Sequence, residues 1–130
     1  MTANTPASRK AKGRKFQQEI RDLLIKVVGI NPEDIESRSM GAQGTDIMLS
    51  AAAQVLFPYA IEAKSVEKLN IWEAWKQAEA NSTEDLAPIL FIKRARQQPL
   101  VVLTADEFID RVADFNDMYE RWEKLRNGTK

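Results

Sequence analysis

The sequence predicts an α/β domain in which helices flank one mixed β-sheet, in the order α-β-β-β-α-β-β-α. Two observations lead to this prediction. Apolar residues recur at helical spacing near both ends and in the middle of the chain, and short runs rich in β-branched residues lie between those segments. The chain has 130 residues, of which 44% are hydrophobic, so it is expected to form one domain with a core of its own.

The N-terminal region divides into an arm and a helix. Residues 1–13 are small, polar and basic and are predicted to be a flexible arm, whereas residues 14–130 form the single folded domain. The first helix covers about residues 14–28 and ends at Gly29. Residues 1–15 contain five basic and no acidic side chains, a composition that suits phosphate contact and equally suits a solubilising tail.

Three strands are expected next, at residues 35–39, 46–50 and 55–65. Gly41 and Gly44 mark a loop between the first two strands, and a turn at residues 51–54 folds the second strand back onto the third. Pro58 should cause a bulge in the third strand or place it at an edge, since proline cannot donate to a β-ladder.

The second half of the chain alternates helix and strand again. A capping pattern, Asn70 with Glu73, opens a helix over residues 70–81, and Thr104 with Glu107 opens another over residues 104–126. Two strands lie between these helices, at residues 88–92 and 99–103. Three tryptophans occupy the two helices at apolar positions and are expected in the core or at an interface more often than on DNA bases: Trp72, Trp75 and Trp122.

Composition excludes several kinds of catalysis. The chain contains no cysteine and no histidine, which excludes thiolate and imidazole metal sites, cysteine nucleophiles and a Ser-His-Asp triad. A catalytic metal would need oxygen ligands, which favours magnesium or manganese over zinc. The absence of a membrane-length apolar stretch and of a signal-peptide core leads us to expect a cytoplasmic protein that does not span membranes.

One strand carries the strongest chemical signal. Side chains alternate along a strand, so Glu62 and Lys64 share a face while their neighbours point into the core. A structural ion pair would explain these two residues alone. Asp46, however, begins the preceding strand, and the predicted hairpin brings it to the same place. Two carboxylates close together attract a divalent cation, and a lysine beside them can orient water or neutralise charge on a phosphate.

Other charged residues are secondary candidates for the site. Glu19 lies at the border of the apolar stripe of the first helix, so it either leans toward the sheet or is an ordinary boundary glutamate. Phosphate contacts are expected from basic residues of the arm, the first loop and the loop between the last two strands: Arg14, Lys15, Arg38, Lys93, Arg94 and Arg96.

The pattern of a glycine-rich loop ending in Asp46, a hairpin, and then Glu62-Ala63-Lys64 resembles the signature of the PD-(D/E)xK nuclease superfamily. Residues 36–46 are similar to the stretch before the aspartate in archaeal and phage-type Holliday junction resolvases. The resemblance covers roughly residues 13–103. It departs from the family title at Thr45, which stands where the motif has proline, and the spacing of 16 positions from Asp46 to Glu62 exceeds what a tight hairpin needs.

The resemblance implies a restriction-endonuclease-like sheet and an Mg²⁺-dependent DNA endonuclease, with Mn²⁺ able to substitute. It implies that Asp46 and Glu62 bind the metal, that the Ala63 carbonyl completes the site and that Lys64 activates the attacking water. It further implies that Glu19 helps to hold the metal. The resolvases also carry a serine in this loop, which Ser39 matches as a candidate DNA contact. In part of the superfamily a glutamine on the following helix supports the lysine or the DNA; Gln77 lies in that helix and is either this residue or a plain surface glutamine.

The partners expected from the resemblance are branched or four-way junction DNA and a second copy of the chain. A twofold junction suits a homodimer with two active sites, and the helix with Trp72 and Trp75 is a candidate dimer seam. Two alternatives stay open. The protein could be a nuclease of the same fold acting on other DNA, as a nickase, a repair nuclease or a degradative phage enzyme, or it could be a DNA-binding protein without catalysis.

Overall fold

The computed structural model describes residues 5–38 and 44–128, which form helices around one five-stranded sheet. The strands are β1 (Ile35–Ser37), β2 (Ile47–Leu49), β3 (Tyr59–Ser65), β4 (Ala87–Lys93) and β5 (Leu100–Val102). The α-helices are α1 (Pro6–Leu23), α2 (Ala51–Leu56), α3 (Ile71–Ala80) and α4 (Ala105–Arg126). A π-helical turn (Leu24–Val28) extends α1, and a 3₁₀ turn (Pro32–Asp34) precedes β1.

The strands lie in the order β1-β2-β3-β4-β5, which is also their order in the chain. Only the β3–β4 pair is parallel, and α3 forms the crossover between them; the other pairs are antiparallel. The prediction of an α/β domain with one mixed sheet is therefore confirmed. None of the helices in the described part of the chain is long and apolar enough to cross a membrane.

Helices cover the two faces of the sheet unequally. On one face α1 buries Phe16 and Ile20 against Ile61 and Ile89, which belong to the larger core cluster. On the other face α3 packs a smaller cluster, which comprises Ala74, Ala78 and Leu90. Because side chains alternate along β3, the residues between the α1-facing ones must point toward α3, and Glu62 is one of them.

The prediction that residues 6–13 belong to an irregular arm was wrong. Helix α1 begins at Pro6, eight residues before the predicted start. Thr5 caps it by accepting a hydrogen bond from the Ser8 N–H (3.1 Å), and proline suits the first helical position because the missing N–H has no helical partner there. Gly13 is buried, whereas most of residues 6–12 are exposed, so this segment is an N-terminal extension of α1 that contacts the body mainly at its end. The predicted end of the helical segment at Gly29 is confirmed, with φ at 87°.

The connection before β3 is also different from the prediction. Residues 51–54 begin a short helix instead of a turn, and β3 starts at Tyr59, after Pro58. The Ser50 side chain caps α2 by accepting from the Ala53 N–H (3.2 Å), and three successive alanines favour helix. Pro58 consequently lies outside the strand and causes no bulge in it.

The three tryptophans differ in how far their side chains are buried. Trp75 is partly buried against the α3 cluster, as expected for a core position. Trp72 and Trp122 are 79% and 51% exposed, so both lie outside the core, and their place at an interface stays a prediction. The C-terminal helix forms where predicted, yet none of its described residues is buried.

Candidate active site

Glu62 lies in the middle of β3 and is 5% exposed, which is unusual for a carboxylate. Its Oε2 atom lies 4.0 Å from Lys64 Nζ, so the two side chains share a face of the strand as their spacing predicts. Lys64 is less buried than Glu62, with 30% of its side chain exposed. One end of this pair is therefore in the interior and the other reaches toward solvent.

Asp46 joins this pair through the β2–β3 ladder. Its N–H donates to the Ile61 carbonyl (3.0 Å), and Ile47 pairs with Ile61 in antiparallel register. The side chain then turns toward the next position of β3, where the Ala63 N–H donates to Asp46 Oδ2 (2.8 Å). The carboxylate of Asp46 thus continues the ladder beyond the last backbone pair, which fixes it beside Glu62.

The two carboxyl groups are close enough for each to affect the pKa of the other. Burial raises the pKa of Asp46, although the Ala63 N–H and the Lys64 charge act against this rise. Burial, together with the Asp46 charge, raises the pKa of Glu62 to about 7. Near neutral pH Glu62 is therefore partly protonated, and a cation placed between the two groups would replace that proton.

Asn81 belongs to the site and was not predicted from the sequence. It follows the last residue of α3, and its Nδ2 donates to Glu62 Oε1 (3.2 Å), which lowers the Glu62 pKa against the effect of burial. Gln77, the predicted carboxamide, lies one turn earlier and is exposed. The helical pattern of the sequence did not show which carboxamide, Gln77 or Asn81, would reach Glu62. Asn81 does so because the end of α3, rather than its middle, lies over Glu62.

Glu19 lies on the other face of the sheet. Alternation along β4 puts Lys93 on the α1 face, where its Nζ is 3.3 Å from Glu19 Oε2. Glu62 points to the α3 face. Glu19 is therefore too far from Asp46 and Glu62 to coordinate the same metal ion directly. An indirect role of Glu19, through water, stays a prediction.

A basic groove of about 160 Å³ begins beside Ser65, one residue after Lys64. Five of its lining residues are basic, two from α1 and three from the end of β4 and the loop after it: Lys12, Lys15, Lys93, Arg94 and Arg96. Two acidic residues also line it, Glu19 and Glu67, so the groove keeps a net positive charge. The fold thus brings distant basic residues of the sequence into one surface, which lies on the α1 face of the sheet, opposite the carboxylate pair.

The remaining predicted DNA contacts are scattered. Arg14 is exposed on α1 and is absent from the residues that line the groove, where Lys12 stands instead. Arg38 lies beside β2, with its Nη1 3.3 Å from the Met48 sulfur. Ser39 lies outside the described residues.

The donor atoms present fit a hard divalent cation. Asp46 and Glu62 supply carboxylate oxygens, and because a strand residue points its N–H and carbonyl to the same side, the Ala63 carbonyl faces the Asp46 side as well. In residues 5–38 and 44–128, no cluster of three or more Asp, Glu, His or Cys side chains is close enough to hold a metal ion. Two carboxylates and one carbonyl leave positions for water, which suits magnesium, since magnesium keeps several waters in protein sites.

Comparison with known proteins gives no relative: no family model, no curated protein and no solved structure matches the chain.

Proposed function

We propose that the protein is an Mg²⁺-dependent DNA endonuclease of the PD-(D/E)xK type, similar to Holliday junction resolvases. The observation that supports this most is the pair Asp46 and Glu62, two partly or fully buried carboxyl groups held beside Lys64 by the Ala63 N–H and Asn81. Burial of such a pair costs free energy in the unliganded protein, and a bound cation would offset that cost. A metal-assisted phosphodiester hydrolysis provides that use.

In this proposal Asp46 and Glu62 bind magnesium together with the Ala63 carbonyl. Bound there, the ion would hold the scissile phosphate and acidify a water molecule. The Ala63 N–H fixes the orientation of Asp46, and Asn81 fixes one oxygen of Glu62, so neither carboxylate must reorganise on binding. Lys64 orients the attacking water or neutralises charge that builds on the phosphate oxygens.

The basic groove is the proposed path of the DNA backbone. Phosphates are bound mainly by lysine and arginine, and this surface carries five of them within reach of one another. Because the groove lies on the α1 face and reaches Ser65, a DNA strand leaving it would pass around the end of β3 to bring a phosphate to Lys64 on the α3 face. The Glu19–Lys93 ion pair lies in its wall and would hold Lys93 in place until phosphate arrives.

The junction substrate and the homodimer complete the proposal, and both rest on the resemblance of residues 36–46 and of the Asp46, Glu62, Lys64 pattern. A four-way junction has two equivalent strands to cut, which a twofold dimer with two sites would serve. Cleavage of other DNA, or DNA binding without cleavage, are the competing functions.

A substrate panel separates these functions. Four-way junction, linear duplex and single-stranded DNA are incubated with the protein in Mg²⁺, Mn²⁺ or EDTA. We expect paired, symmetric nicks on the junction only, and only with a divalent cation. Cutting of every substrate would assign a nuclease of wider range. Binding without cleavage in both metals would show that neither nuclease function is right.

A further inference from the structure

Helix α4 is unlike the rest of the molecule. Its 22 residues include none that is buried, although the helix is rich in large apolar side chains. It is attached to the body at its first turn, where Tyr59 Oη donates to Glu107 Oε2 (2.7 Å). Eight large apolar side chains of α4 are between 44% and 79% exposed: Phe108, Ile109, Val112, Phe115, Met118, Tyr119, Trp122 and Leu125.

Five of these side chains follow a heptad pattern. They alternate in steps of four and three residues, the spacing at which one stripe of a helix faces a partner helix along its length: Phe108, Val112, Phe115, Tyr119 and Trp122. Ile109, Met118 and Leu125 flank the stripe. A stripe of this kind is typical of a helix that pairs with another helix, because each apolar side chain needs a partner surface at the same spacing.

The exposed apolar area matches that of a stable interface. Eight side chains with roughly 100 Å² each exposed would present about 800 Å² per copy, which is the area each partner buries in a standard protein interface. It exceeds the largest apolar patch of a typical monomer, which is about 300–600 Å². The stripe together with its three flanking residues is therefore large enough to hold two chains together without a contribution from the rest of the domain.

The distribution of charge along α4 distinguishes between the parallel and the antiparallel pairing of two copies of this helix. Residues 105–115 contain four acidic residues and one basic residue, a net charge of −3, whereas residues 116–126 contain three of each, a net charge of zero. A second copy in parallel would put two strongly acidic halves side by side. An antiparallel copy puts the acidic half beside the half that contains Arg121, Lys124 and Arg126, and opposes the two helix dipoles.

We propose that α4 pairs with α4 of a second copy of this chain, in antiparallel orientation and centred near Phe115. This register places Phe115 beside its own counterpart, Phe108 beside Trp122, and Val112 beside Tyr119. The smaller valine then faces a large ring. Contacts between unequal side chains of this kind fill the space between two helices.

The mass of the protein in solution tests the pairing. Light scattering at micromolar concentrations should give twice the 14.8 kDa of one chain. Phe115→Glu places two like charges at the centre and should return the mass to that of one chain. Ala113→Glu, on the opposite side of the exposed helix, adds the same charge and should leave the dimer intact. A monomeric parent protein, or a dimer that persists with Phe115→Glu, would overturn the proposal.

Cysteine crosslinking tests the direction, since the chain has no cysteine of its own. A mixture of Val112→Cys and Tyr119→Cys copies should form the mixed disulfide under mild oxidation. Val112→Cys alone should not crosslink with itself, because its counterpart lies on the far side of the centre. Self-crosslinking of Val112→Cys, without the mixed product, would show a parallel pair and contradict the proposal.

The pairing is argued from α4 and does not depend on the nuclease activity. A dimer without cleavage would keep the pairing and remove the proposed function. A monomer that cleaves DNA would do the reverse. Circular dichroism of Phe115→Glu shows whether the body stays folded, which is expected because Phe115 is 61% exposed in the single chain.

Discussion

The site around Glu62 and the surface of α4 both depart from the usual distribution of side chains, in which charged groups are exposed and large apolar groups are buried. Glu62 is a carboxylate that is 5% exposed in the interior, and Phe115 is an aromatic ring that is 61% exposed on the surface. Glu62 has local partners, since Asp46, Lys64 and Asn81 all contact it. The α4 stripe has no comparable cover in the described chain. A buried carboxylate with charged and polar partners is a candidate for chemistry within the chain, whereas an exposed apolar stripe without cover is a candidate for association with another chain.

The largest expected effect is at the carboxylate pair. Asp46→Asn keeps the shape of the side chain but removes the charge needed to bind a cation, and it should lower the rate of cleavage about a thousandfold, or ~4 kcal/mol. DNA binding should change little, because the groove is separate. Asp85→Asn, in an exposed loop before β4, is the matched control and should cleave normally. Full activity of Asp46→Asn would mean that the site lies elsewhere.

The second prediction concerns stability rather than rate. Because the folded-state pKa of Glu62 is about 7 and its ordinary value is 4.5, the folded chain binds more protons than the unfolded chain between these pH values. Its contribution to stability is present below pH 4.5 and is lost as the pH rises through 7. Glu62→Gln removes this loss, so without metal it should stabilise the fold at pH 8, on the order of 2 kcal/mol.

Urea unfolding of Glu62→Gln and of the parent at pH 5 and pH 8 measures this difference. Glu84→Gln, on an exposed loop, is the control and should follow the parent. Mg²⁺ should stabilise the parent at pH 8 and have much less effect on Glu62→Gln, since one ligand is gone. If Glu62→Gln were less stable than the parent at pH 8, the carboxylate would stabilise the fold, and Glu62 would be a structural residue instead of a candidate metal ligand.

A third prediction tests the groove. Replacing Lys15 and Arg94 together by alanine should weaken DNA binding about tenfold and reduce the slope of log affinity against log salt by about 2. Arg14→Ala with Lys26→Ala removes the same charge from exposed positions that do not line the groove. Titrations across a salt series compare the two double variants. Equal losses in both would assign binding to general charge instead of this surface.

The smallest effect is expected at α3. Asn81→Ala removes the hydrogen bond to Glu62, which should raise the Glu62 pKa further and move the pH profile of cleavage toward higher pH. The lost hydrogen bond should lower the free energy of unfolding by about 1 kcal/mol. Gln77→Ala removes a carboxamide from an exposed position of the same helix and should leave the profile unchanged. A shift with Gln77→Ala alone would restore the predicted residue in place of Asn81.

Local patterns in the sequence were sufficient for much of the fold and for the centre of the site. The period of two along β3 places Glu62 and Lys64 together, and capping residues mark the starts of α3 and α4 within one residue. Asp46 joins the pair because a hairpin connects neighbouring segments, as expected from their order. Local patterns failed at Ser50, which caps α2 but was predicted to end a strand before a turn at residues 51–54, and at Thr5 and Pro6, where α1 starts earlier than predicted.

What the sequence by itself determined is the set of residue types and their local spacing: an oxygen-rich site with no histidine or cysteine, an alternating strand and a heptad stripe. Only the tertiary structure decided which distant residues meet. It placed Glu19 on the face opposite Glu62, chose Asn81 over Gln77, gathered the basic groove from α1 and the β4–β5 loop, and left α4 uncovered. Periodicity fixes which side of an element is apolar, but the packing of elements decides what that side contacts.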